Sequence, residues 1–385
     1  MLLMCGTEAR RDARADEAAA LLAAADPGKL AKMLRHQRLT GLVGQRLRGL
    51  GVDLDPSLEE EIESWARAAA ERGRTNELVS LAILSELEHA GVRALPLKGS
   101  VLARELYDDV AARAAGDIDI LVAPEDLART VGLLEAMDWR RERPGSRATT
   151  LPVLHERLHH PSLPRVELHW RVHWYETQFS ADALQRAVPA APHQPLMMLA
   201  GDGLAALTLF YERDGFSGLR LAADVAAWWD LKCGGEDAER LIAPVADAYP
   251  ALAAPLWVGI GVLGPLLGIP GATRSAPLTW RVAAALARPF FVGPVVQANA
   301  TASLVDFLLA PRGGRFAAVR RETQKIPDEI QRPLTRHDDL SDHLARWEHV
   351  ARISRRWMLT LPPAVLQAFR SQSVAQAAAN GHGAL

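Results

Sequence analysis

Asp117 and Asp119 alternate with isoleucine in the segment Gly116-Asp117-Ile118-Asp119-Ile120-Leu121-Val122. Side chains on a strand alternate faces, so the spacing predicts both carboxylates on one face, with Ile118 and Ile120 in a core. Neighbouring carboxylates repel unless a cation lies between them. A pair of hard oxygen ligands suits Mg²⁺, which keeps most of its waters and takes further oxygens from substrate phosphates. Upstream, an apolar run ends in Lys98-Gly99-Ser100, and a helix-length segment separates that turn from Asp117. A Gly-Ser turn opening a helix offers backbone N–H groups and a hydroxyl to phosphate. Alone, the Asp-x-Asp pattern suits a solvated surface strand better; the Lys-Gly-Ser turn before it favours chemistry.

The segments LPLKGSVLARELYDD, Arg113 and GDIDILV together resemble the polymerase-β-like nucleotidyltransferases, in particular their branch of uncharacterised nucleotidyltransferases. The resemblance is strongest from Leu95 to Trp174. It continues weakly upstream in Leu34-Arg35-His36-Gln37-Arg38 and downstream in Leu219-Arg220-Leu221-Ala222-Ala223-Asp224. It implies a third acidic residue on a strand beyond the next helix, and Glu167 in Arg165-Val166-Glu167-Leu168-His169-Trp170 fits. Its implied catalytic and metal set is Asp117, Asp119 and Glu167 around two Mg²⁺ ions, with Gly99 and Ser100 against the β- and γ-phosphates of an NTP. The implied reaction moves a nucleoside monophosphate from the NTP to an acceptor hydroxyl and releases pyrophosphate. A nucleotide-binding module that no longer turns over is an alternative, as is transfer of another phosphate-linked group in peptide or natural-product modification. The acceptor is open among small molecule, peptide, protein and nucleic acid. Lys98 suits a phosphate contact or a strand cap equally. Arg113 suits a bidentate phosphate contact or an ion pair with Asp108 or Asp109.

Three further patterns compete for attention. His155-Glu156-Arg157-Leu158-His159 matches HExxH, a zinc-protease motif that needs both histidines on one helical turn. Pro152 and Pro161 bracket it and leave little room for such a helix, so the reading is disfavoured. His169 lies on the same strand face as Glu167, either beside the metal ligands or as a packed structural residue. Trp170, Trp174, Trp228 and Trp229 are core candidates, with stacking on a base as the lesser alternative.

Elements must hold these residues, and the chain is long enough for several. Its 385 residues are 49% apolar and 23% charged with a net charge of −2, so bulk electrostatics give no pull toward nucleic acid or an anionic membrane. Cys5 and Cys233 show no metal-ligand spacing and suit a reducing cytoplasm. No signal peptide is visible, which with the cysteines makes the cytoplasm the expected location. The apolar stretch from Ala251 to Ile269 reads as short core helices broken by Pro255 and Pro265, and no membrane association is expected.

The expected fold is α+β: a small mixed sheet forming the catalytic core over residues 91–180, with helices on one face. A helical segment, 1–90, precedes it; an all-helical domain, 181–370, follows, and 371–385 read as a disordered tail. Asp26-Pro27 and Asp55-Pro56 read as helix starts. Leu78, Leu81, Ile83, Leu84 and Leu87 read as the apolar face of a helix ending near Gly91. Strands are expected at Val92–Leu97, Asp117–Val122, Trp139–Arg143, Thr149–Leu154 and Val166–Trp174, the last two paired. Beyond Pro195–Phe210, Leu219–Leu231, Asp237–Ala248 and Trp280–Ala287, further helices are expected at Ala302–Leu309, Arg336–Arg356 and Pro363–Phe369.

Overall fold

A computed structural model describes residues 1–287 except 114, 143–153, 177, 190, 192–193, 215–217 and 272–275. Expected elements at 149–153, 302–309, 336–356 and 363–369, and the tail, lie outside the described residues. Among those described, the fold is α+β, with a five-stranded mixed sheet set among helices.

Five short helices open the chain: α1 (Leu2–Cys5), α2 (Glu8–Ala13), α3 (Ala15–Ala23), α4 (Pro27–His36) and α5 (Thr40–Arg48). A single 34-residue helix follows, α6 (Pro56–His89). Both Asp-Pro pairs start helices as expected: the Asp26 carboxylate accepts from Lys29 N–H at 2.8 Å, and that of Asp55 from Ser57 N–H at 2.9 Å. The buried stripe of α6 differs from the expected one. Asn76, Ser80, Ile83, Leu84 and Leu87 face inward, whereas Leu78 is 68% exposed and Leu81 points to solvent too. Steps of three and four from Asn76 trace one helix face, and Leu78 and Leu81 lie off it.

The sheet comes from β1 (Ala94–Lys98), β2 (Asp117–Val122), β3 (Arg140–Arg141), β4 (His155–His159) and β5 (Arg165–His169), in the order β1-β2-β5-β4-β3. Strands β2 and β5 run parallel, and every other pair is antiparallel. Helix α7 (Ser100–Tyr107) joins β1 to β2, and a 3-10 turn at Pro124–Asp126 leads into α8 (Leu127–Ala136). The antiparallel partner of β5 is thus His155–His159. Beyond β5 the Trp170 N–H still reaches the Leu154 carbonyl at 3.2 Å, after which the chain leaves the sheet: Val172 N–H donates to Ser180 Oγ (3.1 Å) and His173 N–H to Glu176 Oε1 (2.9 Å).

Alternation sorts the two sheet faces. Ile118, Ile120, Val166, Leu168 and Leu158 pack with Ile83 and Leu87 of α6 and Val131 and Leu134 of α8. Leu95, Leu97 and Leu121 point the other way, into the larger core built by the remaining helices. The sheet therefore has helices on both faces, not one. Both faces offer apolar side chains, and each needs cover.

After the sheet come α9 (Phe179–Arg186), a ribbon of β6 (Val188–Pro189) and β7 (Leu196–Met197), and then α10 (Ala200–Arg213), α11 (Leu219–Lys232), α12 (Ala238–Ala248), α13 (Pro250–Leu267) and α14 (Leu278–Ala287). Contrary to expectation, α13 is one continuous helix despite Pro255 and Pro265. By length and composition it could cross a membrane, yet it is mostly buried, and Gly259 lies so close to Thr208 of α10 that a Cβ would meet its methyl at 2.5 Å. Close packing offsets the backbone hydrogen bonds that proline forfeits. Chain start and C-terminal helices share this core: Thr7 Oγ1 donates to the Leu267 carbonyl at 3.0 Å.

Candidate active site

The register aligns four charged side chains in one row across four strands. Lys98 of β1 lies opposite Asp119 of β2, Asp119 opposite Glu167 of β5, and Glu167 opposite Arg157 of β4. Strict alternation would turn Lys98 to the wrong face, since Leu95 and Leu97 already point to the carboxylate side. A bulge between Pro96 and Lys98 re-aims it. Its ammonium lies 3.2 Å from Asp119 Oδ1 and over the Phe210 ring of α10, 5.0 Å from the centroid.

Asp119 is 1% exposed. Burial pushes its carboxyl upward; the Lys98 charge and the His169 hydrogen bond, Nε2 to Oδ1 at 2.9 Å, outweigh that and hold it well below the usual range. Its other oxygen, Oδ2, is buried and makes no hydrogen bond. Glu167 is also buried. Arg157 Nε donates to its Oε1 at 3.1 Å, while Oε2 faces His169 Nε2 at 3.6 Å and His155 Nε2 at 3.9 Å. Burial again works upward, and the imidazoles on Oε2 prevail to bring the carboxyl down to about 2. Asp117, two residues before Asp119 and on the same face, is about one-third exposed and lies 3.8 Å from Arg165. All three acids thus line one sheet face, with Asp119 and Glu167 directly adjacent.

The turn before α7 borders this row. Gly99 has φ 100° and ψ −154°, a region essentially reserved for glycine, and caps α7 at its N-terminus. The hydroxyl of Ser100 is buried without a hydrogen-bond partner. Arg113 pairs with neither Asp108 nor Asp109. It is buried and donates from Nε to Asp224 of α11 at 2.6 Å, while its Nη2 is buried with no partner. Helix α6 fixes the Arg113 loop, since Asn76 Nδ2 donates to the Ala115 carbonyl at 3.1 Å and Gly73 lies against Val110.

Several residues gain a place here that their sequence positions did not advertise. His155 and Arg157 belong to the HExxH segment, which is a strand, so alternation brings them onto the carboxylate face; two histidines on one helical turn do not arise. Burial and the nearby His169 lower His155 to about 4, so it is neutral at pH 7. Arg220, at the start of α11, is pushed down to about 10 by burial and by the like charge of Arg113, and it also feels Asp117. The Leu219 N–H donates to Gln37 Oε1 at 3.2 Å, so the turn after α4 abuts this helix start. Trp228 and Trp229 are core residues: Trp228 lies against Gly203 and donates to the Ala200 carbonyl at 2.9 Å.

A mixed sheet with carboxylates on adjoining strands, beside a glycine-led helix start, is the framework of a nucleotidyl-transfer protein. The chain belongs to a family described as uncharacterised nucleotidyltransferase, whose model matches residues 23–257, more than half its length. No curated protein matches it. The matched span runs from α4 into the first half of α13, covering the sheet, the Gly99 turn and the α11 start together.

The donor set fits the divalent ion that such a fold implies. Asp117, Asp119 and Glu167 present hard oxygens on one face, and the buried, unpartnered Asp119 Oδ2 is where a cation contact would satisfy a costly orphan.

Proposed function

We propose that the protein is a Mg²⁺-dependent nucleotidyltransferase that moves a nucleoside monophosphate from an NTP to an acceptor hydroxyl, with pyrophosphate leaving. One observation carries the reading: Asp119 Oδ2, Ser100 Oγ and Arg113 Nη2 are all buried and unpartnered, with Ser100 directly after the Gly99 that starts α7 and Arg113 within the electrostatic reach of Asp119. A carboxylate oxygen, a hydroxyl and a guanidinium without partners are what a metal-bound triphosphate would satisfy.

In this reading Asp117, Asp119 and Glu167 hold Mg²⁺, which when bound neutralises triphosphate charge and acidifies the acceptor hydroxyl. Gly99 lets phosphate approach the backbone, and the Ser100 hydroxyl donates to a phosphate oxygen. Arg113, oriented by Asp224, turns its spare Nη2 to the same anion, and Arg220 adds positive charge from α11. Lys98 keeps Asp119 ionised and oriented. Phosphoryl-type transfer asks the protein mainly for position and charge, which these groups supply. The acceptor would enter between the carboxylate face and the helices opposite.

Incubating the protein with Mg²⁺ and each labelled NTP, alone and with candidate acceptors, tests the reading. Pyrophosphate release that needs Asp119 is the expected result. Mg²⁺-dependent NTP stabilisation without any pyrophosphate would mark a binding module, and neither effect would overturn the reading.

A further inference from the structure

The geometry points to a transition-metal position at Glu167, built from His155, Glu167 and His169 and distinct in its donors from the all-oxygen Mg²⁺ face of Asp117. The inference rests on the metal-site reading above and adds which ion the Glu167 side selects.

One ligand atom from each of the three residues lies within 4.8 Å of the others. The strands enforce this closeness: His155 and His169 are direct cross-strand partners, with ring centroids 4.8 Å apart, and Glu167 precedes His169 by two on the same face. The Glu167 carboxylate is divided between two duties. Arg157 holds Oε1, and Oε2 faces both Nε2 atoms. Nδ1 of each ring is buried without a hydrogen-bond partner, so no neighbour fixes the tautomer from that side. In His169 the proton rests on Nε2, donated to Asp119 Oδ1, so a metal there would replace that proton, which the unpartnered Nδ1 can take up. In His155 no hydrogen bond among the described residues holds the proton on either nitrogen. His169 Nε2 also lies 2.9 Å from Asp119 Oδ1, so an ion bound there would share the negative charge of Asp119.

Two imidazoles and a carboxylate are borderline donors. They favour Mn²⁺, Co²⁺ or Zn²⁺, whereas Mg²⁺ is held by oxygen. The pair of sites would thus be unlike, with an oxygen-bound ion toward the nucleotide and an imidazole-bound ion on the Glu167 side.

Co²⁺ serves as the probe, titrated into the full chain without nucleotide and in large excess of Mg²⁺. The expected result is a visible ligand-field band that saturates near one equivalent, survives Mg²⁺ and is bleached by Zn²⁺. His155→Ala should weaken Co²⁺ binding at least about tenfold, with the far-ultraviolet circular dichroism spectrum unchanged. Should that variant not fold, pulsed EPR of Mn²⁺ bound to the unaltered chain decides, because imidazole ligation gives nitrogen modulation. No saturable band, displacement by Mg²⁺, a band indifferent to His155→Ala in folded protein, or bound Mn²⁺ without nitrogen coupling would each overturn the inference. NTP stabilisation by Mg²⁺ is read separately, so either idea can fail while the other stands.

Discussion

Asp119 and Glu167 stand directly opposite each other on parallel neighbours β2 and β5, and each carboxylate has one oxygen held by a cation from the next strand outward. Lys98 on one flank and Arg157 on the other turn a repulsive pair into the centre of a balanced row. The row explains how two acids can be buried side by side: every member is a nearest cross-strand neighbour of the next, at a separation where opposite charges stabilise.

Asp117 offers the cleanest test of the acids, because it is the most exposed of the three and its arginine contact is long. Asp117→Asn should change unfolding free energy by less than about 1 kcal/mol, as expected for a surface pair. The same variant should lose the Mg²⁺-dependent rise in Tm with NTP. Differential scanning fluorimetry with and without Mg²⁺ measures both, and a retained nucleotide shift would remove Asp117 from the site.

Gly99 and Ser100 are adjacent, and their alanine variants should behave oppositely. Gly99→Ala forces a side chain into a backbone conformation that glycine alone adopts easily, at a cost of about 1–3 kcal/mol. Ser100→Ala removes a buried hydroxyl that has no partner, so stability should hold or rise. NTP affinity should nevertheless fall in the serine variant, about fivefold or more if one hydrogen bond to phosphate is lost. Chemical denaturation alongside nucleotide titration separates the two effects; a destabilised Ser100→Ala with normal affinity would make that hydroxyl structural.

The acids and the turn were legible in the sequence because their signal is local. The alternation of Asp117, Ile118, Asp119 and Ile120 fixes both strand and face, and Gly99-Ser100 marks the helix start. Glu167 needed the family resemblance as well, and register then set it opposite Asp119. His155 and Arg157 were hidden because a five-residue strand can carry a helix-type motif, and only pairing with β5 decides which face each residue takes. Lys98 depends on a bulge that no spacing announces. Arg113 and Asp224 are separated by 111 residues, and an ion pair at that range is visible only after packing. Helix α13 misled for a related reason: proline's local penalty is real, but it was overridden by burial between neighbouring helices.

Both cysteines are buried, and burial pushes the Cys5 thiol up to about 11 and that of Cys233 to about 12. Native protein at pH 8 should therefore react with a thiol reagent only at the rate of opening, with both sites labelled at once in denaturant. The sign for stability follows from the raised values. Cysteine favours the folded state fully below its unfolded pKa near 9, and that contribution is lost as pH rises toward 11 and beyond. Fast labelling of Cys5 in native buffer would show that the chain start does not keep its place against α11 and α13.

Arg113 and Asp224 form the buried link between the loop before β2 and α11, and Tyr107 adds a third group by donating to Asp224 Oδ1 at 3.0 Å. Burial disfavours the charged guanidinium, but the carboxylate beside it outweighs this and raises Arg113 above its ordinary value. Asp224→Ala would strand a positive charge in the interior, so it should cost about 3–5 kcal/mol. Asp224→Asn keeps an acceptor for Tyr107 and should cost less. If Asp224 acts only as a strut, the Asn variant will bind NTP normally wherever it is folded. If it aims Arg113 at phosphate, nucleotide affinity will fall in the Asn variant by more than its stability loss explains. A double-mutant cycle with Arg113→Met, scored by urea denaturation and NTP titration, separates these outcomes: a coupling in binding as well as in folding is expected. Coupling confined to folding would leave phosphate to Ser100 and Arg220.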